Sequence, residues 1–177
     1  MVQEASLKPT AAGLVPAGNG WFILNARDAG WRRREGMGAF LSFEGETDFP
    51  QIGVTLYALA PGERMAMYHW EADQEDFFVL SGEALLIIEG EERRLRQWDF
   101  VHCPAETKHA IVGAGNGLCV VLAVGARQHP ASGAFPVDQS AARHGAGVDQ
   151  DTADPKQAYA PFPAPDPTRY RDGWLPN

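Results

Sequence analysis

Cysteine is scarce. Only Cys103 and Cys119 occur in 177 residues, too few for a disulfide framework or a structural zinc site with Cys and His at fixed spacing. Both lie inside apolar runs, where buried free thiols are expected. Positive charge is also short: 15 Lys and Arg stand against 23 Asp and Glu, a net charge of −8. Such a chain has little long-range attraction to phosphate backbones or anionic lipids, so no nucleic-acid partner is expected. The one dense basic run, Arg32-Arg33-Arg34 followed by Glu35, reads as a solvated turn. No apolar stretch approaches bilayer length, which argues against a membrane partner. The amino terminus, MVQEASLKPTAAGL, carries Glu4 and Lys8 where a secretory signal needs an unbroken apolar stretch, and a cytoplasmic location is the expectation. Internal repeats and low-complexity runs are absent, as are helix-period segments between the apolar runs. Without them a parallel sheet has no crossovers.

What is present reads as one domain of all-β class. Residues 1–20 have no period and form an N-terminal arm. From Trp21 to Gly125, short apolar or alternating runs separated by turn residues are the pattern of a sandwich or barrel. Candidate strands are Trp21–Leu24, Ala39–Phe43, Ile52–Ala60, Met65–His69, Asp76–Leu80, Ala84–Glu89, Glu92–Arg96, Phe100–Cys103, His109–Val112 and Leu118–Val124. Pro61-Gly62, Gly90 and Asn116-Gly117 supply the turn chemistry between them. Residues 126–177 are a distinct C-terminal extension: eight of the thirteen prolines lie between Pro130 and Pro176. Within it, Val137–His144 and Asp154–Tyr159 read as short helices, the second with Asp154 as cap and Pro155 at its first position. The aromatics Tyr159, Phe162, Tyr170 and Trp174 predict a strap lying across the barrel or a partner subunit.

The residues with chemistry lie in PGERMAMYHWEADQEDFFVLSGE (61–83) and WDFVHCPAETKH (98–109). Positions two apart on a strand point to one face, so His69 and Glu71 can converge, and a following turn can return Glu75 to the same point. His109 opens a later strand. Two imidazoles and a carboxylate with open positions suit Fe(II) and are compatible with Mn, Ni, Co or Zn. Glu71 adds a second negative charge, and an ion would account for carboxylates gathered inside a barrel.

These stretches resemble the motifs of the cupin superfamily, in particular its small single-domain, conserved-barrel members. Gly62, His69, Glu71, Glu75 and Gly82 take the places of the first motif (Gly, spacer, His-x-His, Glu, six residues, Gly). Trp98, Pro104, Glu106 and His109 take those of the second (Gly, five residues, Pro-x-Gly, two residues, His). Glu71 stands in place of the second His, and Trp98 and Glu106 in place of glycines. The spacer after Gly62 is one residue longer than usual; without that residue the two His positions fall on Tyr68 and Trp70. The resemblance implies an antiparallel double-stranded β-helix, or jelly-roll, barrel. It implies one divalent metal ion (Fe, Mn, Zn or Ni) on His69, Glu71, Glu75 and His109, with His102, which shares a strand face with Phe100 two residues before it, in the pocket as a proton-transfer residue. A metal-dependent, dioxygenase-like oxidoreductase acting on a small organic molecule is the activity expected from it. A cupin isomerase or decarboxylase, or a non-catalytic small-ligand binder, stands as the alternative. Homodimers paired through outer sheet surfaces are also expected.

Overall fold

The computed structural model of the chain describes residues 1–129 and 132–176; Pro130, Ala131 and Asn177 of the extension lie outside the described residues. Its architecture is an antiparallel jelly roll of two facing sheets. The larger has seven strands in the order β10-β7-β12-β5-β4-β3-β14, with β3 Gly30–Arg34, β4 Gly38–Ser42, β5 Ile52–Leu59, β7 Glu75–Ser81, β10 Phe100–Cys103, β12 Cys119–Ala126 and β14 Asp166–Arg169. Facing it is β11-β8-β9, built from β8 Glu83–Ile88, β9 Glu91–Arg96 and β11 His109–Ala114. A two-stranded piece, β6 Trp70–Glu71 with β13 Gly133–Ala134, adjoins β11 through the bridge His69–His109. A hairpin of β1 Ser6–Thr10 and β2 Gly13–Ala17 precedes them.

Alternation along each strand selects the core. Phe77 and Val79 of β7, Ala84 and Leu86 of β8, Val101 and Cys103 of β10, Ile111 of β11 and Val121 of β12 form one buried cluster between the sheets. Residues of opposite parity face outward. On the small sheet, Tyr68, Ile87, Ala110 and Val112 are covered by Ala141 of helix α1 (Gln139–Arg143) and by Ala146. On the large sheet, Trp31, Leu41, Leu56 and Val120 are covered by Trp174 together with Leu24, Tyr170 and Leu175.

The turns follow their residue chemistry. Gly82 joins β7 to β8 at φ 76°, and a Cβ there would sit 2.4 Å from the Leu118 carbonyl oxygen, so both backbone and space require glycine. Asp138 caps α1 by accepting from the Ala141 N–H, and Asp154 caps α2 (Pro155–Ala158), with Pro155 in its first turn.

Several sequence expectations are corrected. Residues 6–17 form a hairpin. Trp21–Leu24 is no strand: Trp21 makes a single bridge to Glu4, and Leu24 packs on the outer cluster. Met65–His69 is no strand: it carries one isolated bridge, at His69, with another just before it at Arg64. The Arg32-Arg33-Arg34 run is part of β3, held between β4 and β14, and not a solvated turn. Among the described residues no helix is long and apolar enough to cross a membrane.

The C-terminal segment is tied to the barrel by β14 and by Trp174, whose ring centroid lies 5.2 Å from that of the fully buried Trp31. Replacing Trp174 with Ala is expected to cost about 3 kcal/mol, the lower end for a buried Trp because a terminal segment can partly relax. Urea denaturation followed by fluorescence measures it, and a loss below about 1 kcal/mol would mean that this packing contributes little.

Candidate metal centre

The interior face brings three of the expected residues together. His69 and His109 exchange both backbone hydrogen bonds, N–H to O distances being 3.0 and 2.8 Å. In antiparallel pairing, residues so joined project their side chains to one side. Their ring centroids lie 4.9 Å apart. Glu75, at the start of β7 and of the same parity as Phe77 and Val79, reaches in from the opposite sheet. One ligand atom each from His69, Glu75 and His109 falls within a span of 4.8 Å. Glu71 shares the His69 face but stays at the rim: its Oε1 is 3.7 Å from His69 Nε2, its side chain is 45% exposed, and it lies outside the tight cluster. Tyr68 points the other way, into the cluster under α1, which settles the local register in favour of His69.

Hydrogen bonding fixes which ring nitrogen faces the centre. His69 Nδ1 is 2.7 Å from the Met67 carbonyl and His109 Nδ1 is 2.9 Å from the Thr107 carbonyl. A carbonyl only accepts, so each Nδ1 carries a proton, and in the neutral ring Nε2 presents a lone pair. His109 Nε2 then faces Glu75 Oε2 at 3.3 Å as acceptor against acceptor. Both atoms are buried without a hydrogen-bond partner. That is costly unless a proton or a cation lies between them. The donor set, two imidazoles oriented by carbonyls and one carboxylate, fits a divalent ion.

His102 does not join this group, which corrects the pocket role expected for it. Val101 and Cys103 are the inward residues of β10, so Phe100 and His102 face outward. His102 Nδ1 is 2.7 Å from Asp76 Oδ1 on the outer surface, and its side chain is half exposed. The expectation counted parity from Phe100 as an inward aromatic, whereas Phe100 is 62% exposed.

Residues outside the two motifs complete the surroundings. Phe135 stacks on His69 at 5.7 Å, Tyr159 meets Phe135 edge-on at 5.7 Å, and Phe77 lies 5.1 Å from His109. The extension also holds the ligand-bearing stretch through its backbone. Met67 N–H donates to Tyr159 Oη, Tyr68 N–H to Ala146 O and Ala72 N–H to Ser132 O, while Trp70 and Glu71 pair with Ala134 and Gly133. Asp73 accepts from both the backbone and the ring of His129. A cavity of about 300 Å³ opens beside His69 and Glu71, lined also by Asp73, Arg127, His129 and Phe135. No spacing signal marks Phe135 or Tyr159; the density of aromatics in a proline-rich segment is the only trace they leave in the sequence.

Burial disfavours charge on His69, yet the carboxylates of Glu71 and Glu75 outweigh it and raise its pKa. Burial likewise opposes charge on Glu75, and the facing imidazoles of His109 and His69 overcome it and lower its pKa. Without an ion, the raised His69 stabilises the fold below the ordinary imidazole range and loses that contribution as pH climbs through its folded pKa. The lowered Glu75 stabilises above the ordinary carboxylate range and loses that contribution as pH falls through its folded pKa. Thermal melts in chelator should therefore peak between about pH 4.3 and 6.5 and decline on the alkaline side. With a divalent ion competing for the same nitrogen, the alkaline decline should vanish. Identical curves with and without metal would reject coupling between the ion and these groups.

A Cupin domain family model matches residues 55–125, the segment that carries all three clustered residues. No curated protein matches the chain. Among solved structures, a protein from Acidithiobacillus ferrooxidans provisionally assigned as a sugar phosphate isomerase is 30% identical, covering 44% of this chain and 51% of its own, with a TM-score of 0.42. A sugar phosphate isomerase of the cupin superfamily from Silicibacter pomeroyi is 26% identical over 51% of this chain and 59% of its own, TM-score 0.46. A cupin protein from Bacteroides fragilis is 19% identical over 52% and 80%, TM-score 0.47. The chain thus spans between half and three fifths of the length of the first two. Residues 55–125 match the cupin domain, and the antiparallel jelly roll to which they contribute is a cupin-type barrel.

Proposed function

We propose that the chain is a metal-dependent cupin acting on a small organic molecule, with one divalent ion (Fe, Mn, Zn or Ni) held by His69, Glu75 and His109. Glu71 at the rim is a fourth, exchangeable ligand. The observation that carries this reading is the buried pair Glu75 Oε2 and His109 Nε2, two acceptors 3.3 Å apart with no hydrogen-bond partner. When bound, the ion supplies a Lewis acid for an enolate or carboxylate and, if it is iron, oxidation chemistry of the dioxygenase class. The chain's own part is to hold the two imidazoles in the Nδ1–H tautomer and to exclude water with Phe77 and Phe135. Isomerase or decarboxylase chemistry, or ligand binding without turnover, would use the same pocket, and the metal separates them.

Elemental analysis of the purified full-length chain should give one divalent ion per chain. His69→Ala, Glu75→Ala and His109→Ala should each weaken metal binding by a factor on the order of 100 or more, Glu71→Ala by about tenfold, and His102→Ala not at all. Redox-inert Zn together with no oxygen uptake across a panel of small acids and phenols would reject the dioxygenase reading. Unchanged metal affinity in His109→Ala would reject the site itself.

The proposal includes a homodimer formed through the outer face of the large sheet. Its support is an aromatic edge: Trp98 and Phe100 are 65% and 62% exposed and lie 5.9 and 6.4 Å from Phe78. Sedimentation at micromolar concentration should report a dimer that Trp98→Glu converts to monomer; a monomeric wild-type chain would overturn it.

A further inference from the structure

The strand β3 alternates Trp31 and Arg33 against Arg32 and Arg34, and the register decides which pair faces the barrel interior. Arg32 pairs with Phe40, Phe40 with Tyr57, Tyr57 with Val121, and Val121 with Val79, a residue of the interior core. The face that carries Arg32 and Arg34 is therefore the interior one. Arg34, Phe40 and Tyr57 line an open cavity of about 170 Å³ together with Met37, Met65 and Tyr159.

Arg34 is the cation in this cavity that lacks a counter-ion. Its guanidinium lies 5.0 Å over the Tyr159 ring, its Nη1 is 3.8 Å from Met37 Sδ, and its Nε is buried with no hydrogen-bond partner. Arg33 takes Glu63, Arg143 takes Glu92, and Arg127, beside the other cavity, is held by both oxygens of Glu44, whereas Arg64, whose Nε is also buried without a partner, lies over Phe162 and outside this cavity. Among the described residues Arg34 forms no ion pair. Hydrogen bonds join the cavity wall to the metal centre: Tyr159 Oη accepts from Met67 N–H, and the Met67 carbonyl accepts from His69 Nδ1.

We propose that Arg34, with the Tyr57 and Tyr159 hydroxyls, is the anion-recognition corner of the site and takes the carboxylate of a small organic acid whose far end reaches the metal. This rests on the reading of the barrel as a metal-dependent site, and it narrows the substrate to a monoanion. The charge count decides this. Glu75 and Glu71 together neutralise a divalent ion, so a substrate's carboxylate needs its own cation, and one guanidinium balances one charge. A phosphate would bring nearly two charges beside an acidic rim. The remaining walls, Met37, Phe40, Met65 and Pro165, suit a short apolar chain.

Isobutyrate, isobutyramide and inorganic phosphate, titrated calorimetrically into the full-length chain with and without EDTA, test this. Isobutyrate should bind in both conditions, isobutyramide should not, and phosphate should bind more weakly. Arg34→Gln should lose tenfold or more in isobutyrate affinity, Arg34→Lys should recover part of it, and metal affinity should be unchanged in both variants. Isobutyrate bound equally by wild type and Arg34→Gln, or phosphate preferred in an Arg34-dependent way, overturns the assignment. Isobutyrate binding that depends on Arg34 in EDTA, in a chain that takes up no metal, would remove the metal reading and leave the anion corner standing.

Discussion

Two backbone hydrogen bonds, from His69 N–H to His109 C=O and back, decide where the imidazoles go. They join the end of an otherwise irregular stretch, 65–69, to the first residue of β11. A one-residue slip at this bridge would turn Tyr68 or Trp70 inward and carry His69 out of the barrel. Everything else about the centre follows from that register. The carbonyls of Met67 and Thr107, each two residues before its histidine, fix the tautomers, and Glu75 meets the pair because β7 lies across the interior.

An isolated bridge is weak on its own, and the residues around it have to hold it. Met67 through Asp73 are held along their length by His129, Ser132, Gly133, Ala134, Ala146 and Tyr159, mostly through backbone groups, and Glu71 C=O accepts from Glu106 N–H. The matched cupin segment ends at residue 125, so the ligand stretch is stabilised from outside the segment that defines the fold. A short stretch with few ladder bonds frays cheaply, and pairing from both sides is what keeps it at the local stability of a strand.

This division explains what the sequence discloses and what it conceals. His69, Glu75 and His109 are legible because ligand chemistry demands particular side chains at particular spacing. The caps at Asp138 and Asp154 are legible for the same kind of reason. The hairpin at 6–17 and strands β3 and β14 escape notice because SLKPT, GWRRR and DPTR lack apolar alternation; their pairing partners, and not their own preferences, make them strands. The extension's hold on the ligand stretch is invisible because backbone hydrogen bonds carry no side-chain signature. His102 misleads because an exposed aromatic beside it counterfeits an inward face.

The departures from the cupin motifs are substitutions of residue and not of geometry. Trp98 and Glu106 stand where the pattern has glycine, yet both keep the left-handed backbone, at φ 76° and 67°. Trp98 N–H donates to Val79 C=O and Glu106 N–H to Glu71 C=O, so tertiary bonds impose turns that local preference opposes at roughly 1–2 kcal/mol each. Glu71 occupies the second histidine's place on the same face, which leaves the shape of the proposed centre intact and makes its charge more negative by one. A centre that already neutralises a divalent ion gives an anionic substrate little net attraction. Selectivity for acids then has to come from a separate cation on the barrel wall, and the interior arginine of β3 stands where one is required.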